Sequence, residues 1–355
     1  MKKIGVLTWH YGANYGAKAQ SYALQQTIKS LGYDVFMINY RTKGYRKLNY
    51  ETNTEIKNKW LHPIRVLNGI KRCSNFSNVE RLYNETGRVT GYEDINRLGF
   101  DAIVLGSDAI FNVLHPLYND IYYGVGINAC KILYSPSCEY LSPDFELSDG
   151  CKKSLREMKG YAVRDLNTKK LIFNNIGVES RITLDPTFLY SFDDIKYDLK
   201  VDNYILVYSF NDLGEYSKSI VKFAKNNNLQ IVSVGKEYRW ANISYSDASF
   251  ELWIESFRHA RYVVTDSFHG TVFAIKNSKD FVVCAHEGKV AKIASLLKEL
   301  SINRLFYDGN INIEDYLGTG IDYENVSNKL TNMVLNSRNY LENALIKSVK
   351  EGNDQ

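Results

Sequence analysis

Short apolar, β-branched runs alternate with amphipathic stretches along most of the chain, the pattern of an α/β fold with parallel sheets. In the first half, Ile4–Thr8, Val35–Asn39, Ala102–Gly106, Lys131–Ser135 and Gly160–Val163 read as strands; in the second, Tyr204–Phe210, Leu229–Gly235, Arg261–Thr265 and Phe281–Cys284 do. A helix is predicted from about Ala17 to Leu31, with Leu24, Ile28 and Leu31 on one face and Gly32 as its C-cap. The two strand-rich halves flank a connection near Leu184-Asp-Pro-Thr187. This predicts two Rossmann-like domains facing each other across a cleft, over 1–185 and 186–322, followed by a helical segment over 323–355 with a face for packing back on the N-terminal domain. Ligands of such folds bind beyond the carboxyl ends of the strands, so the loops just after each strand are where chemistry is expected.

Size and composition narrow the class. At 355 residues the chain exceeds what one ordinary core needs, and its 45% hydrophobic and 24% charged content is that of a globular protein without a run fit to span a bilayer. The segment Met1–Thr8 turns polar at once into His10-Tyr-Gly-Ala-Asn-Tyr-Gly16, which reads as the first strand of a cytoplasmic protein rather than a signal sequence. Cys73, Cys130, Cys138, Cys151 and Cys284 are scattered and odd in number, which argues against a disulfide framework and a structural zinc site. A net charge of +4 leaves no nucleic-acid footprint. Arg41, Lys43, Arg46 and Lys47, then Lys57, Lys59, Arg65, Lys71 and Arg72 around Trp60 and Leu61, form a basic segment over 41–72. It reads either as solvated surface or as a peripheral contact with the inner face of a membrane.

Four loops carry candidate chemistry. Tyr262–Lys276 runs as an apolar strand through Thr265-Asp-Ser-Phe-His-Gly270 into a helix. A helix start offers unpaired N–H groups and the positive end of the dipole to an anion; Gly270 lets backbone approach it and His269 adds a titratable group. The same residues also read as a plain N-cap with a loop histidine. The loop after the first strand brings Gly12 and Gly16 near a ligand or is a turn capped by Asn14, and it matches no nucleotide fingerprint. After the third strand, Ser107 and Asp108 stand at the carboxyl end with Phe111 and Asn112 following; a carboxylate there can orient or deprotonate a hydroxyl, and an aromatic face can pack against a sugar ring. Arg164, at the end of the fifth strand, offers a fork for carboxylate or phosphate, or a surface salt bridge with Asp165 or a neighbour.

Taken in order, Asn14-Tyr-Gly-Ala17, Gly106-Ser-Asp108 with Asn112, Val163-Arg164, Leu184-Asp-Pro-Thr187 and Thr265-Asp-Ser-Phe-His-Gly270 resemble the motifs of the polysaccharide pyruvyl transferase family, nearly to Leu305. The resemblance implies a fold similar to GT-B glycosyltransferases. It also implies transfer of pyruvyl from phosphoenolpyruvate to two hydroxyls of a sugar, as a cyclic ketal on a cell-surface polysaccharide or its lipid-linked precursor. His269 and Arg164 match the family's donor-site histidine and arginine, which places Thr265, Ser267 and Gly270 on the donor side. Asn14, Tyr15, Ser107, Phe111 and Asn112 fall on the acceptor side, with Asp108 as candidate base. Phosphoenolpyruvate is a co-substrate, and neither a cofactor nor a metal is expected. The sequence departs from the family where Gln-Val-Trp gives way to Ala109-Ile110-Phe111, and where some members carry an arginine at the position of Ser267. Two rival readings use the same fold: a glycosyltransferase for a nucleotide sugar, and a non-catalytic sugar- or anion-binding relative.

Overall fold

Strands buried on both faces read as continuous apolar runs, and this chain folds such runs into two all-parallel sheets, each in its own compact unit. The computed structural model describes every residue except 42–69, 72, 73, 77, 285–290, 307–311 and 352–355. The basic segment expected to meet a membrane lies outside these described residues apart from Arg41, Ile70 and Lys71. The first unit consists of the described residues of Met1–Glu55, Ser77–Ser191 and Thr331–Gln355, and the second of those of Ile56–Phe76 and Phe192–Leu330.

In the first unit, β1 (Lys3–Leu7), α1 (Tyr15–Ser30), β2 (Asp34–Met37), α2 (Tyr92–Arg97), β3 (Ala102–Leu105) and β4 (Cys130–Leu133) build a sheet of order β2-β1-β3-β4. Asn14 starts α1 two residues earlier than the pattern predicts, its Oδ1 accepting the Ala17 N–H at 3.2 Å. After α3 (Asp149–Arg156), the run predicted as a fifth strand lies parallel to β4, the Leu133 N–H donating to the Gly160 carbonyl at 3.0 Å and the Ser135 N–H to that of Ala162 at 2.9 Å, and its regular part, β5 (Ala162–Val163), pairs on with β6 (Arg181–Ile182). The extended stretch ends there because Asp165 caps α4 (Leu166–Ile176).

The second unit carries β7 (Tyr204–Tyr208), α5 (Gly214–Asn226), β8 (Gln230–Val234), β9 (Ile243–Tyr245), α6 (Phe250–His259), β10 (Tyr262–Thr265), α7 (Phe268–Lys276), β11 (Asp280–Cys284), α8 (Ala291–Glu299) and β12 (Leu305–Phe306). Its sheet has the order β12-β11-β10-β7-β8-β9. Trp253, buried on α6, packs edge-on against Phe273 of α7 with centroids 4.5 Å apart, fixing those helices on one face. The long α9 (Tyr323–Glu351) belongs to the first unit from Thr331 onward. There the Tyr340 hydroxyl donates to the Leu133 carbonyl at 2.9 Å, and Ser337 Oγ accepts the Leu184 N–H at 3.0 Å.

Strand order reverses between β1 and β3 in one sheet and between β7 and β10 in the other. Crevices at the carboxyl ends open at such reversals, so the loops after these four strands are the places for a ligand.

Candidate active site

At the reversal of the first sheet, Thr8 Oγ1 donates to the Ser107 carbonyl at 2.9 Å, joining the ends of β1 and β3. Gly106 takes φ 127°, and a Cβ there would lie 2.1 Å from the Tyr134 carbonyl oxygen, so only glycine allows the chain to turn. Asp108 follows with φ 72°; its Oδ1 accepts the Ala109 N–H and its carbonyl the Ser137 N–H, each at 2.8 Å. Asn112, fully buried, donates from Nδ2 to Glu139 Oε2 at 3.2 Å and accepts the Leu114 N–H at 3.1 Å. It organises the loops after β3 and β4 rather than facing solvent. Phe111 also differs from expectation. Its ring has no exposed surface and stacks on Tyr123 at 4.0 Å, so it belongs to the core and is no platform for a sugar. Trp9, in the loop after β1, is also largely buried, and its ring lies 4.3 Å from that of His115. Tyr15 is buried behind the Asn14 cap in the first turn of α1.

Three of the sequence motifs meet in one buried cluster. Arg164 Nη2 lies 2.7 Å from Asp185 Oδ2 and also donates to Ser107 Oγ, which is itself 3.3 Å from the same carboxylate oxygen. The other carboxylate oxygen accepts the Thr187 N–H at 3.0 Å and its hydroxyl at 2.6 Å. The salt bridge of Arg164 is therefore buried and made to Asp185, neither superficial nor to Asp165; Asp165 instead caps α4 and accepts Ser137 Oγ at 2.7 Å.

A second charged cluster in this unit was not legible as such in the sequence. Lys18, with no exposed side-chain surface, lies 3.5 Å from Glu80, which also faces Arg41 at 3.4 Å. His10 Nδ1 donates to the Thr8 carbonyl at 3.1 Å, and Nε2 lies 3.3 Å from Glu85 Oε1, which accepts the Tyr11 hydroxyl at 2.8 Å. Burial, opposed by Glu80, brings the Lys18 ammonium down to about 8, and burial likewise depresses His10. These residues come from the loops after β1 and β2, from α1 and from the stretch before α2, so their meeting depends on topology rather than spacing.

In the second unit the turn after β10 is built around its own hydroxyls. Ser267 caps α7, its Oγ accepting the Gly270 N–H at 2.9 Å, while Thr265 Oγ1 accepts the Ser267 N–H at 3.1 Å. A Cβ on Gly270 would lie 2.1 Å from Thr265 Oγ1 and 2.7 Å from Ser267 Oγ, so the glycine makes room for these hydroxyls. His269 is half-buried in the first turn. Asp266 spans the reversal: its Oδ1 accepts the Phe210 N–H at 2.9 Å, and Oδ2 accepts the N–H and side-chain amide of Asn211 at 2.8 and 2.7 Å. It ties the loop after β7 to the one after β10, leaving the Phe210 side chain exposed.

Burial pushes the thiol of Cys138, between these loops of the first unit, up to about 12, which removes it as a nucleophile at neutral pH. Among the described residues no group of three His, Cys, Asp or Glu side chains could hold a metal ion, and no helix is long and apolar enough to cross a membrane.

A family model described as polysaccharide pyruvyl transferase matches residues 14–288. No curated protein matches the chain in sequence. Among solved structures, the chain is similar to the glycotransferase of kitacinnamycin at 11% identity, with TM-score 0.50 and 98% of each chain covered. It is similar also to S. aureus MnaA in a co-structure with UDP, at 10% identity and TM-score 0.50, covering 97% of this chain and 91% of that one. At such identity the likeness is one of fold, the two Rossmann-like domains of the GT-B class.

Proposed function

The chain belongs to the polysaccharide pyruvyl transferase family, and from that premise we propose that it transfers pyruvyl from phosphoenolpyruvate to a sugar of a surface glycan or its lipid-linked precursor, closing a ketal on two hydroxyls. The observation that carries this reading is His269, a half-buried titratable group in the first turn of α7, at the reversal of the second sheet.

The reaction requires a proton at C3 of the donor, stabilisation of the cationic C2 that results, attack by one sugar oxygen, departure of phosphate and attack by the second sugar oxygen, so that of the two hydroxyl protons released one balances the proton taken up at C3 and the other leaves on the phosphate. His269 supplies the proton or holds the departing phosphate, and the start of α7 adds its dipole. Because Ser267 already occupies the Gly270 N–H, the anion depends more on the side chain of His269 than on bare backbone. Arg164, fixed by Asp185 and Ser107, provides a preorganised positive charge for the donor's carboxylate or phosphate. Asp108 takes the proton of an acceptor hydroxyl. No cofactor is needed beyond phosphoenolpyruvate as co-substrate, and the work is done on the cytoplasmic side.

The test is ligand-dependent stability. Phosphoenolpyruvate at about 100 times its Kd adds roughly 2.7 kcal/mol to the native state, visible as a raised melting temperature. Inorganic phosphate at matched ionic strength controls for plain anion binding. Stabilisation by uridine or guanosine diphosphate sugars, with none from phosphoenolpyruvate beyond the phosphate control, replaces pyruvyl transfer with glycosyl transfer.

A further inference from the structure

Trp9 and His115 bring the loops after β1 and β3 together where the first sheet reverses, on the same crevice as Asp108. The hydrogen bonding of His115 fixes its chemistry. Its Nδ1 accepts the Leu117 N–H at 3.1 Å, so the ring proton resides on Nε2 and the imidazole is neutral. Protonating Nδ1 would set two donors against each other. Burial acts in the same direction and depresses the pKa, against the opposing fields of Glu139 and Asp108, both close enough to be felt by the ring. A neutral imidazole in this tautomer is a donor at Nε2, and among the described residues nothing accepts from that atom. Asp108 is its complement. One carboxylate oxygen is anchored on the Ala109 N–H, and among the described residues no donor engages the other. The ring of His115 is steadied by Trp9, and Asp108 by the tie between its carbonyl and Ser137.

We propose that His115 and Asp108 form a donor–acceptor pair for two neighbouring hydroxyls of a pyranose, Nε2–H of His115 donating to one oxygen while the carboxylate of Asp108 accepts from the other. This rests on the pyruvyl transfer reading and adds to it the residue that selects the diol. A ketal-forming enzyme must hold two hydroxyls at once, one as the attacking nucleophile and one in waiting. A single carboxylate distinguishes neither, whereas an acceptor and a donor of fixed tautomer assign them different roles. His115 is thus a binding residue for the waiting hydroxyl and carries no proton in the reaction.

The experiment uses the full chain with the methyl pyranosides of glucose, galactose, mannose and N-acetylglucosamine as probes, read by the side-chain nitrogen resonances of His115 and by phosphate release from phosphoenolpyruvate. His115 is expected to show the neutral Nε2–H tautomer from pH 6 to 8, and at least one glycoside is expected to shift that resonance. His115→Phe should raise the KM for that glycoside about tenfold, the loss expected for one neutral hydrogen bond, with kcat and the stabilisation by phosphoenolpyruvate little changed. His115→Gln, which keeps an N–H donor, should stay within about threefold of wild type. A protonated ring at pH 7, a resonance indifferent to all four glycosides, or equal KM values for the Phe variant and wild type overturns the proposal. A glycoside that shifts His115 without any phosphate release from phosphoenolpyruvate leaves the diol pair standing and removes pyruvyl transfer instead.

Discussion

Arg164 and Asp185 face each other at 2.7 Å with both side chains enclosed, so the arginine that reads most plainly as a ligand contact is also an internal ion pair. Removing one partner of such a pair leaves a buried charge uncompensated, at about 3–5 kcal/mol. Asp185→Ala should therefore unfold the first unit at markedly lower urea concentration. The double variant Arg164→Met with Asp185→Leu should recover much of that stability and still fail to transfer pyruvyl. A double variant that keeps activity would confine Arg164 to a structural role.

His269 is half-buried, and the cap of its helix is made by Ser267. His269→Ala should accordingly fold and melt like the wild type while transfer falls roughly 100- to 10,000-fold, the range for loss of a general acid. Steady-state turnover with both substrates saturating decides it, and activity within a few-fold of wild type removes His269 from the chemistry.

Lys18 predicts a pH dependence of stability. It titrates near 8 in the folded chain against the ordinary 10.5, because burial outweighs the pull of Glu80. Below 8 it is protonated in both states and its burial penalty is fully felt. Between 8 and about 10 the unfolded chain holds a proton that the native chain does not, so stability rises with pH by up to about 1.4 kcal/mol per unit from this group. Above that range the buried Tyr11 and Tyr83, whose pKa values burial raises, oppose the trend. Urea unfolding at pH 7, 8, 9 and 10 should show the rise in wild type relative to Lys18→Met; parallel curves for the two refute it.

Asp266 accepts two backbone N–H groups and one side-chain amide of the loop after β7. Asp266→Ala should free that loop, and hydrogen exchange at the Phe210 and Asn211 amides should accelerate at least tenfold while the amides of β7 stay protected. Unchanged exchange at both amides would show that the loop is held by other contacts.

Much of the fold could be read directly because β1, β3, β7 and β10 are buried along nearly their whole length and so appear as unbroken apolar runs. The strands without a clear sequence signal, β6, β9 and β12, have two or three residues each, exposed in β6 and half-buried in the other two, and carry little pattern. Phe111 misled because an aromatic after Ser-Asp suits a sugar platform, and only packing reveals that its ring turns inward onto Tyr123. Lys18, His115 and Asp266 were opaque for a different reason. Each acquires its meaning from a partner 62, 106 or 55 positions away, Glu80, Trp9 and Asn211 respectively, and no local window contains both.

The cluster of Ser107, Arg164, Asp185 and Thr187 bears on how sequence kinship should be weighed. These four residues supply much of what makes the chain readable, and all four are enclosed by the first unit. They are thus subject to the same pressure as an interior leucine, independently of turnover. A descendant that abandoned catalysis but still had to fold would retain them, and its ancestry would remain plain. Divergence in activity within this lineage is better sought at His115, His269 and Phe210, where a side chain can change without undoing the interior.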